Sequence, residues 1–329
     1  MKYYLVIIFI TILFLHGCGL FNADDEPEVP SPIPGKIVFS MPQGEGESSQ
    51  IFVMNPNGTG LKQLTDLGQF DAVNPSWSPD GTQIVFTTGK RGTVGNPAIH
   101  IMNADGSNIQ PLKVFPERPD LAFPGRYPKW SPDGTKIVFH QCIGCGAAGG
   151  NNYEIFVYDF LQDTIIQITD HPAVDRFPDW NKDSNEIAFL SNRESVNTNT
   201  PFFKNIFISN IDKEVIQQIT FNGKVNRPSW NRNSYLLAFT ESEQEKIFLV
   251  NTDTNKKDSL ETPNFFSGTP QWNALGDQII VYNRFKKEAN NFIVRFQFTN
   301  TFIPLDTVTT NDNYLRGKDF SWHYINESF

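Results

Sequence analysis

Short apolar runs separated by polar turns recur along the whole chain, and they predict strands rather than helices. The most regular run begins seven residues after a tryptophan, as in residues 84–86 after Trp77 and residues 137–139 after Trp130. Between the two segments of the first copies lies Ser-Pro-Asp-Gly, in which proline presets one turn dihedral and glycine tolerates positive φ. The constant spacing therefore predicts a tight β-hairpin at five of the six tryptophans. The six are Trp77, Trp130, Trp180, Trp230, Trp272 and Trp322.

A second hairpin is predicted downstream of the first. A third apolar run opens with an isoleucine in every copy, and in five of six copies a fourth run begins ten residues later. Turn-forming residues such as Asn-Pro-Asn-Gly at residues 55–58 separate the two runs. The fifth copy has Lys257 where the fourth run begins, so we expect that strand to be degenerate. The isoleucines are Ile51, Ile99, Ile155, Ile206, Ile247 and Ile293.

Four short antiparallel strands in each unit of 42 to 53 residues are typical of a propeller blade, because such a sheet must stack on neighbours to bury its faces. Six tryptophans predict a six-bladed all-β propeller over residues 36–329. At the ends of this range, residues 36–39 resemble a second strand without a first, whereas residues 320–323 resemble a first strand without a second. We expect these two segments to share one blade, so that strands from both termini close the ring and remove the exposed sheet edges.

The repeated Trp-Ser-Pro-Asp-Gly-Thr followed by Ile-Val-Phe resembles the WD40-like Pro-Asp (PD40) repeat of the TolB propeller family. The resemblance covers residues 36–329 and implies the propeller fold. Members of the TolB type also carry an N-terminal α/β domain, for which residues 19–35 leave no room. The family resemblance raises the hypothesis of a structural partner in a Tol-type envelope system, although one fold hosts many functions.

The N-terminus indicates export and lipidation. Lys2 precedes an apolar run of eleven residues, which is too short to span a bilayer as a helix and is typical of a signal peptide over residues 1–17. Residues 15–18, Leu-His-Gly-Cys, resemble a bacterial lipobox, which predicts that Cys18 is lipidated. The alternative is a secreted protein with an ordinary cleavage site. Residues 18–35 are acidic and proline-rich and predict an extended tether, so we expect a monomer anchored by lipid in the bacterial envelope, at the outer membrane.

The charge balance narrows the range of partners. The chain carries 27 basic and 36 acidic residues, for a net charge of −9, and removal of residues 1–17 changes this to −10 because one lysine is lost. Such an acidic protein is a poor general ligand for nucleic acid or anionic membrane. The function is therefore expected to depend on a protein, glycan or peptide partner.

Catalytic signatures are sparse. The chain has no Gly-x-Ser-x-Gly, and its histidines are scattered, with His100 and His140 in or beside predicted strands. Asp80, Asp105 and Asp133 precede glycine in hairpin turns, which favours a role in the turn over calcium binding. We predict no metal and no cofactor.

Cys142 and Cys145 form a Cys-x-x-Cys motif in a glycine-rich segment. Outside the cytoplasm such a pair forms a structural disulfide, half of a zinc site or a redox pair. No second pair completes a zinc site, and redox pairs normally begin a helix in a βαβ unit. A disulfide between Cys142 and Cys145 is the favoured interpretation.

Arginines concentrate in the connections of variable length, which in any four-stranded blade emerge on the face opposite the two tight hairpins. Arg126 and Arg176 each stand four residues before a tryptophan, and Arg227 stands three before one. We predict that Arg126, Arg176 and Arg227, together with Arg316, surround the mouth of the central channel and bind a carboxylate or phosphate. The alternative is that these arginines pair with nearby acids. The candidate acids are Asp120, Asp175 and Asp179.

The sequence is compatible with two classes of function. The first is a non-enzymatic binding or scaffolding lipoprotein that presents one propeller face to a protein or an anionic ligand. The second is a carbohydrate-active enzyme, such as a lyase that acts on acidic polysaccharide and holds uronate carboxylates with its arginines. A catalytic base and a metal site at the channel mouth distinguish the second class from the first.

Overall fold

The computed structural model describes most of the chain from residue 35 onward. The described residues are 35–42, 47–90, 98–112, 125–143, 152–193, 204–212, 216–241, 244, 246–261, 267–273, 275–284, 291–298, 302–308 and 320–323. Side chains are described up to residue 281, except those of Glu261 and Ser267. The predicted signal peptide, Cys18, residues 19–34 of the predicted tether, Cys145 and Arg316 lie outside these residues. The described residues contain no helix with the length and apolar character needed to cross a membrane.

The described strands form six four-stranded antiparallel sheets, numbered here from the N-terminus. Sheet 1 contains β1 (Lys36–Pro42), β2 (Ser49–Met54), β3 (Lys62–Gln63) and β24 (Phe320–His323). Sheet 2 contains β4 (Phe70–Trp77), β5 (Gln83–Lys90), β6 (Ala98–Asn103) and β7 (Gln110–Pro111). Sheet 3 contains β8 (Arg126–Trp130), β9 (Lys136–Cys142), β10 (Tyr153–Asp159) and β11 (Thr164–Gln167).

The remaining sheets repeat this order. Sheet 4 contains β12 (Arg176–Trp180), β13 (Glu186–Ser191), β14 (Asn205–Asn210) and β15 (Ile216–Gln218). Sheet 5 contains β16 (Ser229–Trp230), β17 (Leu236–Thr240), β18 (Lys246–Asn251) and β19 (Lys257–Glu261). Sheet 6 contains β20 (Ser267–Trp272), β21 (Gln278–Arg284), β22 (Asn291–Phe298) and β23 (Phe302–Val308). The prediction of an all-β propeller is confirmed.

The seven-residue spacing is the register of the first hairpin. Trp77 pairs with Ile84, Trp130 with Ile137, and the three following tryptophans pair in the same way. The turn side chains close the loop: Asp80 accepts from Ser78 Oγ at 2.6 Å and from the Thr82 amide at 3.0 Å, and Gly81 has φ +71°. The prediction that this aspartate serves the turn is confirmed, and Asp105 and Asp133 make equivalent bonds.

One strand prediction was wrong. The fourth strand of the fifth copy was expected to be degenerate because Lys257 replaces an apolar residue. Instead β19 is a full strand, in which Lys257 pairs with Val250. The fourth strand lies at the outer edge of its sheet and is largely exposed, so the backbone ladder forms without a buried side chain at this position.

Five sheets are built from four consecutive strands, whereas sheet 1 joins both ends of the chain. Trp322 of β24 pairs with Ile37 of β1, in the place that the other tryptophans take relative to their second strands. The first strands of the six sheets contact one another in a closed series, β24–β4–β8–β12–β16–β20 and back to β24.

The core consists of clusters between neighbouring sheets rather than within one sheet. Trp180 of sheet 4, for example, packs with Val138 and Ile155 of sheet 3, and only 2% of its surface is exposed. The same arrangement recurs at Trp77, Trp130, Trp230 and Trp272. Burial of one large apolar side chain contributes roughly 1.5–3 kcal/mol, so each sheet depends on its neighbour.

Candidate functional site

A bulge in the first strand shapes the centre of the propeller. The pairing of β4, β8 and β12 with the next strand shifts register just before the tryptophan, and the bulged residues Asn74, Tyr127 and Phe177 have φ between 55° and 58°. Positive φ is uncommon for bulky residues and is often retained at functional positions. A proline follows each of the three and lines, with them, a narrow central cavity of about 30 Å³. A cavity of this size has room for only about one or two water molecules.

Arg126 and Arg176 begin β8 and β12, directly before two of these bulged residues. The Arg176 guanidinium lies over the ring of Tyr153, with Cζ 3.7 Å from the ring centroid. Its Nε is buried and has no hydrogen-bond partner in the described part of the chain. Burial lowers the pKa of Arg176, and the positive charge of Arg126 adds to that effect. The two arginines therefore lie close enough to repel each other.

Arg227 takes the position that tyrosine and phenylalanine occupy in the two preceding sheets. Its guanidinium lies 4.3 Å from the ring centroid of Tyr127 and 4.2 Å from that of Phe177. It also donates a 2.8 Å hydrogen bond to the Tyr127 hydroxyl. Residues from three consecutive sheets thus meet in one cation–aromatic arrangement.

His140 lies at the centre of this arrangement and is 2% exposed. Its ring is 5.2 Å from Tyr127, 5.4 Å from Phe177 and 5.5 Å from Tyr153, measured between centroids. Its Nδ1 accepts a hydrogen bond from the Phe177 amide, which requires an unprotonated nitrogen. Burial is the main cause that holds the pKa of His140 well below its ordinary value. Nearby positive charges lower this pKa further; they belong to Arg176, Arg227, Arg126 and Lys204. His140 is therefore a neutral structural residue, as the sequence predicted.

Lys204 is the one cation of this group that the sequence did not single out. It lies just before β14, where its backbone forms an isolated parallel β-bridge with the backbone of Lys224. Burial lowers the pKa of Lys204, and Arg176 and Arg227 lower it further. We call Arg126, Arg176, Lys204 and Arg227 the cationic cluster; all four are partly exposed.

The two described acids that were candidates for pairing have other partners. Asp175 accepts from Arg193 Nη2 at 2.6 Å. Asp179 accepts from the Trp230 amide at 2.7 Å; burial raises its pKa, and Lys129 is the charge that most opposes this rise. Asp120 lies outside the described residues. Among those that are described, no carboxylate forms an ion pair with Arg126, Arg176 or Lys204.

A buried carboxyl group lies beside the cluster on β10. Glu154 follows Tyr153, is 0% exposed, and accepts hydrogen bonds from Thr169 Oγ1 at 2.5 Å and from the His171 amide at 3.0 Å. Burial raises its pKa from 4.5 to about 7, and the charges of Asp175 and Asp170 also raise it. These bonds hold the segment that leads to Arg176.

The position of Glu154 is occupied by amides in two other sheets. Gln50 accepts from Thr65 and from the Leu67 amide, and Asn205 accepts from Thr220 and from the Gly223 amide. Glu154 therefore accepts the same kinds of hydrogen bond that a neutral amide accepts in the other two sheets, but its carboxyl group can ionise.

The remaining predicted sites are only partly within the described residues. Cys142 is 5% exposed at the end of β9 and is disulfide-bonded; its partner lies outside the described residues, and pairing with Cys145 stays a prediction. Arg316 and Cys18 also lie outside them. In the described part of the chain, no group of three or more His, Cys, Asp or Glu residues is placed to hold a metal ion.

Comparison with known proteins identifies the repeat. The family described as "TolB beta propeller domain" (PD40) matches residues 122–296. The Tol-Pal system protein TolB of Francisella tularensis subsp. mediasiatica is 24% identical over 178 residues, which are 53% of this chain and 38% of that protein. The match thus spans well under half the length of that relative.

Two solved structures share the fold. TolB from Acinetobacter baumannii superposes with a TM-score of 0.69 at 17% identity, over 89% of this chain and 67% of that one. An oligogalacturonate lyase in complex with manganese superposes with a TM-score of 0.51 at 12% identity, over 84% of this chain and 73% of that one. At these identities the likeness concerns the fold alone.

Proposed function

The chain belongs to the TolB β-propeller family, and we propose that it is a non-enzymatic binding or scaffolding lipoprotein of the bacterial cell envelope. The observation that carries this proposal is the cationic cluster, in which Arg126, Arg176 and Lys204 lack a described carboxylate partner. A family match of this kind supports an envelope role, and the cluster supports recognition of an anionic group on a protein or glycan.

The cluster suits recognition because two of its side chains, Arg176 and Arg227, are held in place before a ligand arrives. Arg176 lies over the ring of Tyr153. Arg227 contacts the rings of Tyr127 in sheet 3 and Phe177 in sheet 4, and it donates to the Tyr127 hydroxyl. A guanidinium that stacks on a ring keeps its in-plane N–H groups for paired hydrogen bonds. Arg316 is proposed as a further member of the same rim.

We propose that the chain is a lipid-anchored propeller of six blades. We take the six sheets as the six blades of one ring, closed by β1 and β24. Residues 1–17 act as the signal peptide, Cys18 carries the lipid, and residues 18–35 tether a monomeric propeller to the membrane. The partner proposed for this display is an envelope protein of the Tol–Pal kind, or an anionic glycan or peptide.

The test is affinity capture from an envelope extract, followed by mass spectrometry and glycan analysis. The bait is the full chain, compared with a variant in which Arg126, Arg176 and Arg227 are changed to Gln. Lys182→Gln is the matched control, because Lys182 is a partly exposed cation in a hairpin turn that already has a carboxylate partner, Asp183. Capture that is lost in the triple variant and kept in the control supports the proposal. Equal capture by all three proteins contradicts it.

A lyase remains the second candidate, because the cationic cluster also suits the carboxylates of uronate chains. Incubation of the full chain with polygalacturonate and divalent cations tests it by the ultraviolet absorbance of unsaturated products. Product formation that disappears in the triple variant favours the lyase over the binding protein.

A further inference from the structure

We propose that the cationic cluster is a site for a phosphate group, with Lys204 as a binding residue beside Arg126 and Arg176. This inference deepens the proposed function, on which it rests, by specifying the anion as a tetrahedral dianion rather than a single carboxylate. It concerns the phosphate chemistry shared by free phosphate and by phosphomonoesters.

The positive charge of the cluster favours a dianion. Arg126, Arg176 and Lys204 are half-buried, and no described carboxylate pairs with any of them. Like charges that are partly removed from water repel one another more strongly than they would in bulk solvent. One carboxylate would neutralise a single cation and leave the other two in mutual repulsion. A dianion removes more of this repulsion.

The donors of the cluster come from three different elements of the fold. The Cζ atom of Arg176 lies 3.7 Å from the ring centroid of Tyr153, and its buried Nε has no hydrogen-bond partner among the described residues. Arg126 comes from the neighbouring sheet, and Lys204 comes from the segment before β14. Donors from three elements suit the oxygens of a tetrahedral group better than the two coplanar oxygens of a carboxylate.

Aromatic rings cover one side of the cluster. The rings of Tyr127, Phe177 and Tyr153 pack against His140. His140 is neutral and adds no positive charge to the cluster. These rings exclude water from one side of the cluster, and charge-assisted hydrogen bonds are stronger where water is excluded. The arrangement therefore favours a small, highly charged ligand over a diffuse acidic surface.

The experiment measures the binding of inorganic phosphate to the full chain at pH 8, by calorimetry and by thermal melting. Sulfate is the second tetrahedral dianion, malonate is a dicarboxylate of equal charge, and acetate is the monoanion, all at matched ionic strength. We expect phosphate and sulfate at about ten times their Kd to raise Tm by about 2 °C. Acetate should give no rise, and malonate should give a smaller one.

Variants locate the site. Lys204→Gln should weaken phosphate binding about tenfold, because one charge-assisted hydrogen bond is lost. Its Tm without phosphate should equal or exceed that of the wild type, because repulsion is relieved. If Lys204→Gln does not fold, Arg126→Gln serves the same purpose. Lys182→Gln is the control and should bind phosphate as the wild type does.

Some outcomes overturn the phosphate site but leave the proposed function intact. A shift that is equal for acetate and phosphate, or phosphate binding that is unchanged in both Lys204→Gln and Arg126→Gln, contradicts the site. If capture of an envelope partner still depends on the arginines, the proposed binding function is retained without the phosphate site. A last arm replaces phosphate with glucose 1-phosphate: equal affinity assigns the site to phosphomonoesters, and much weaker affinity assigns it to free phosphate. Either result supports the site.

Discussion

Glu154→Gln should abolish a pH dependence that the wild-type fold carries near neutrality. Glu154 is 0% exposed and accepts from Thr169 and from the His171 amide. Gln50 makes the corresponding two bonds in sheet 1 through one amide oxygen, so glutamine is expected to fit the site. The substitution keeps the acceptor and removes the charge that forms when the carboxyl group ionises.

The sign follows from the direction of the pKa change. Burial raises the pKa of Glu154 from 4.5 to about 7, so between these values the folded protein binds more protons than the unfolded chain. The free energy of unfolding therefore falls as pH rises through this window, and the loss is complete above pH 7. A pKa change of this size corresponds to at most about 3 kcal/mol. For a propeller of this length that equals a decrease in Tm of about 5 °C.

Thermal and urea unfolding at pH 5 and pH 8 measure the effect. At pH 5 the two proteins should have similar stability, and at pH 8 Glu154→Gln should be more stable, by up to about 3 kcal/mol. Asp170, Asp175, His171 and Arg193 also face this region and are the same in both proteins, so the difference between the two curves isolates Glu154.

The reciprocal substitution provides the control. Gln50→Glu places a carboxyl group at the equivalent buried position, and it should introduce a loss of stability between pH 5 and pH 8 that the wild-type sheet 1 lacks. A difference between Glu154→Gln and wild type that does not vary with pH would refute the argument. So would a variant that is less stable than wild type at pH 8.

Three further predictions concern the two ends of the chain and its cysteines. Removal of residues 320–329 should lower Tm and increase proteolysis at β1, because β1 loses its partner β24; a truncated protein with the wild-type Tm would rule out closure by the termini. Cys18→Ser should abolish labelling by a fatty-acid probe and processing by signal peptidase II, and equal labelling of both proteins would refute lipidation. Native, unreduced protein should expose no alkylatable thiol at Cys142 or Cys145, as mass spectrometry of alkylated peptides will show; two free thiols would contradict the disulfide.

Much of the fold was predictable because it depends on local periodicity. The distance of seven residues from tryptophan to the next apolar run is the register of a hairpin, and Trp77 and Ile84 do pair across it. The exception, β19, formed despite Lys257 because an outer strand needs backbone partners more than buried side chains.

The candidate site was predictable only in part. The position of Arg126 and Arg176 before a tryptophan predicted that they lie at the rim. The Arg-aromatic-Pro triplet that contains each of them is a further repeated pattern, and it marks the aromatic residues of the site. Tyr127 and Phe177 in that triplet are the bulged residues on which Arg227 lies. Lys204 had no such signal, because it belongs to a connection of variable length with no repeat spacing.

Spacing along the backbone accounts for most of the strands and hairpin turns, with β19 as the exception. The missing partner strands at residues 36–39 and 320–323 account for the pairing of these two segments. Which charges meet depends instead on how the sheets pack. Arg126, Arg176, Lys204 and Arg227 come from three neighbouring sheets, and Asp175 turns to Arg193 rather than to the adjacent Arg176. Coulomb energy depends on distance and burial in space, and neither can be read from separation along the chain.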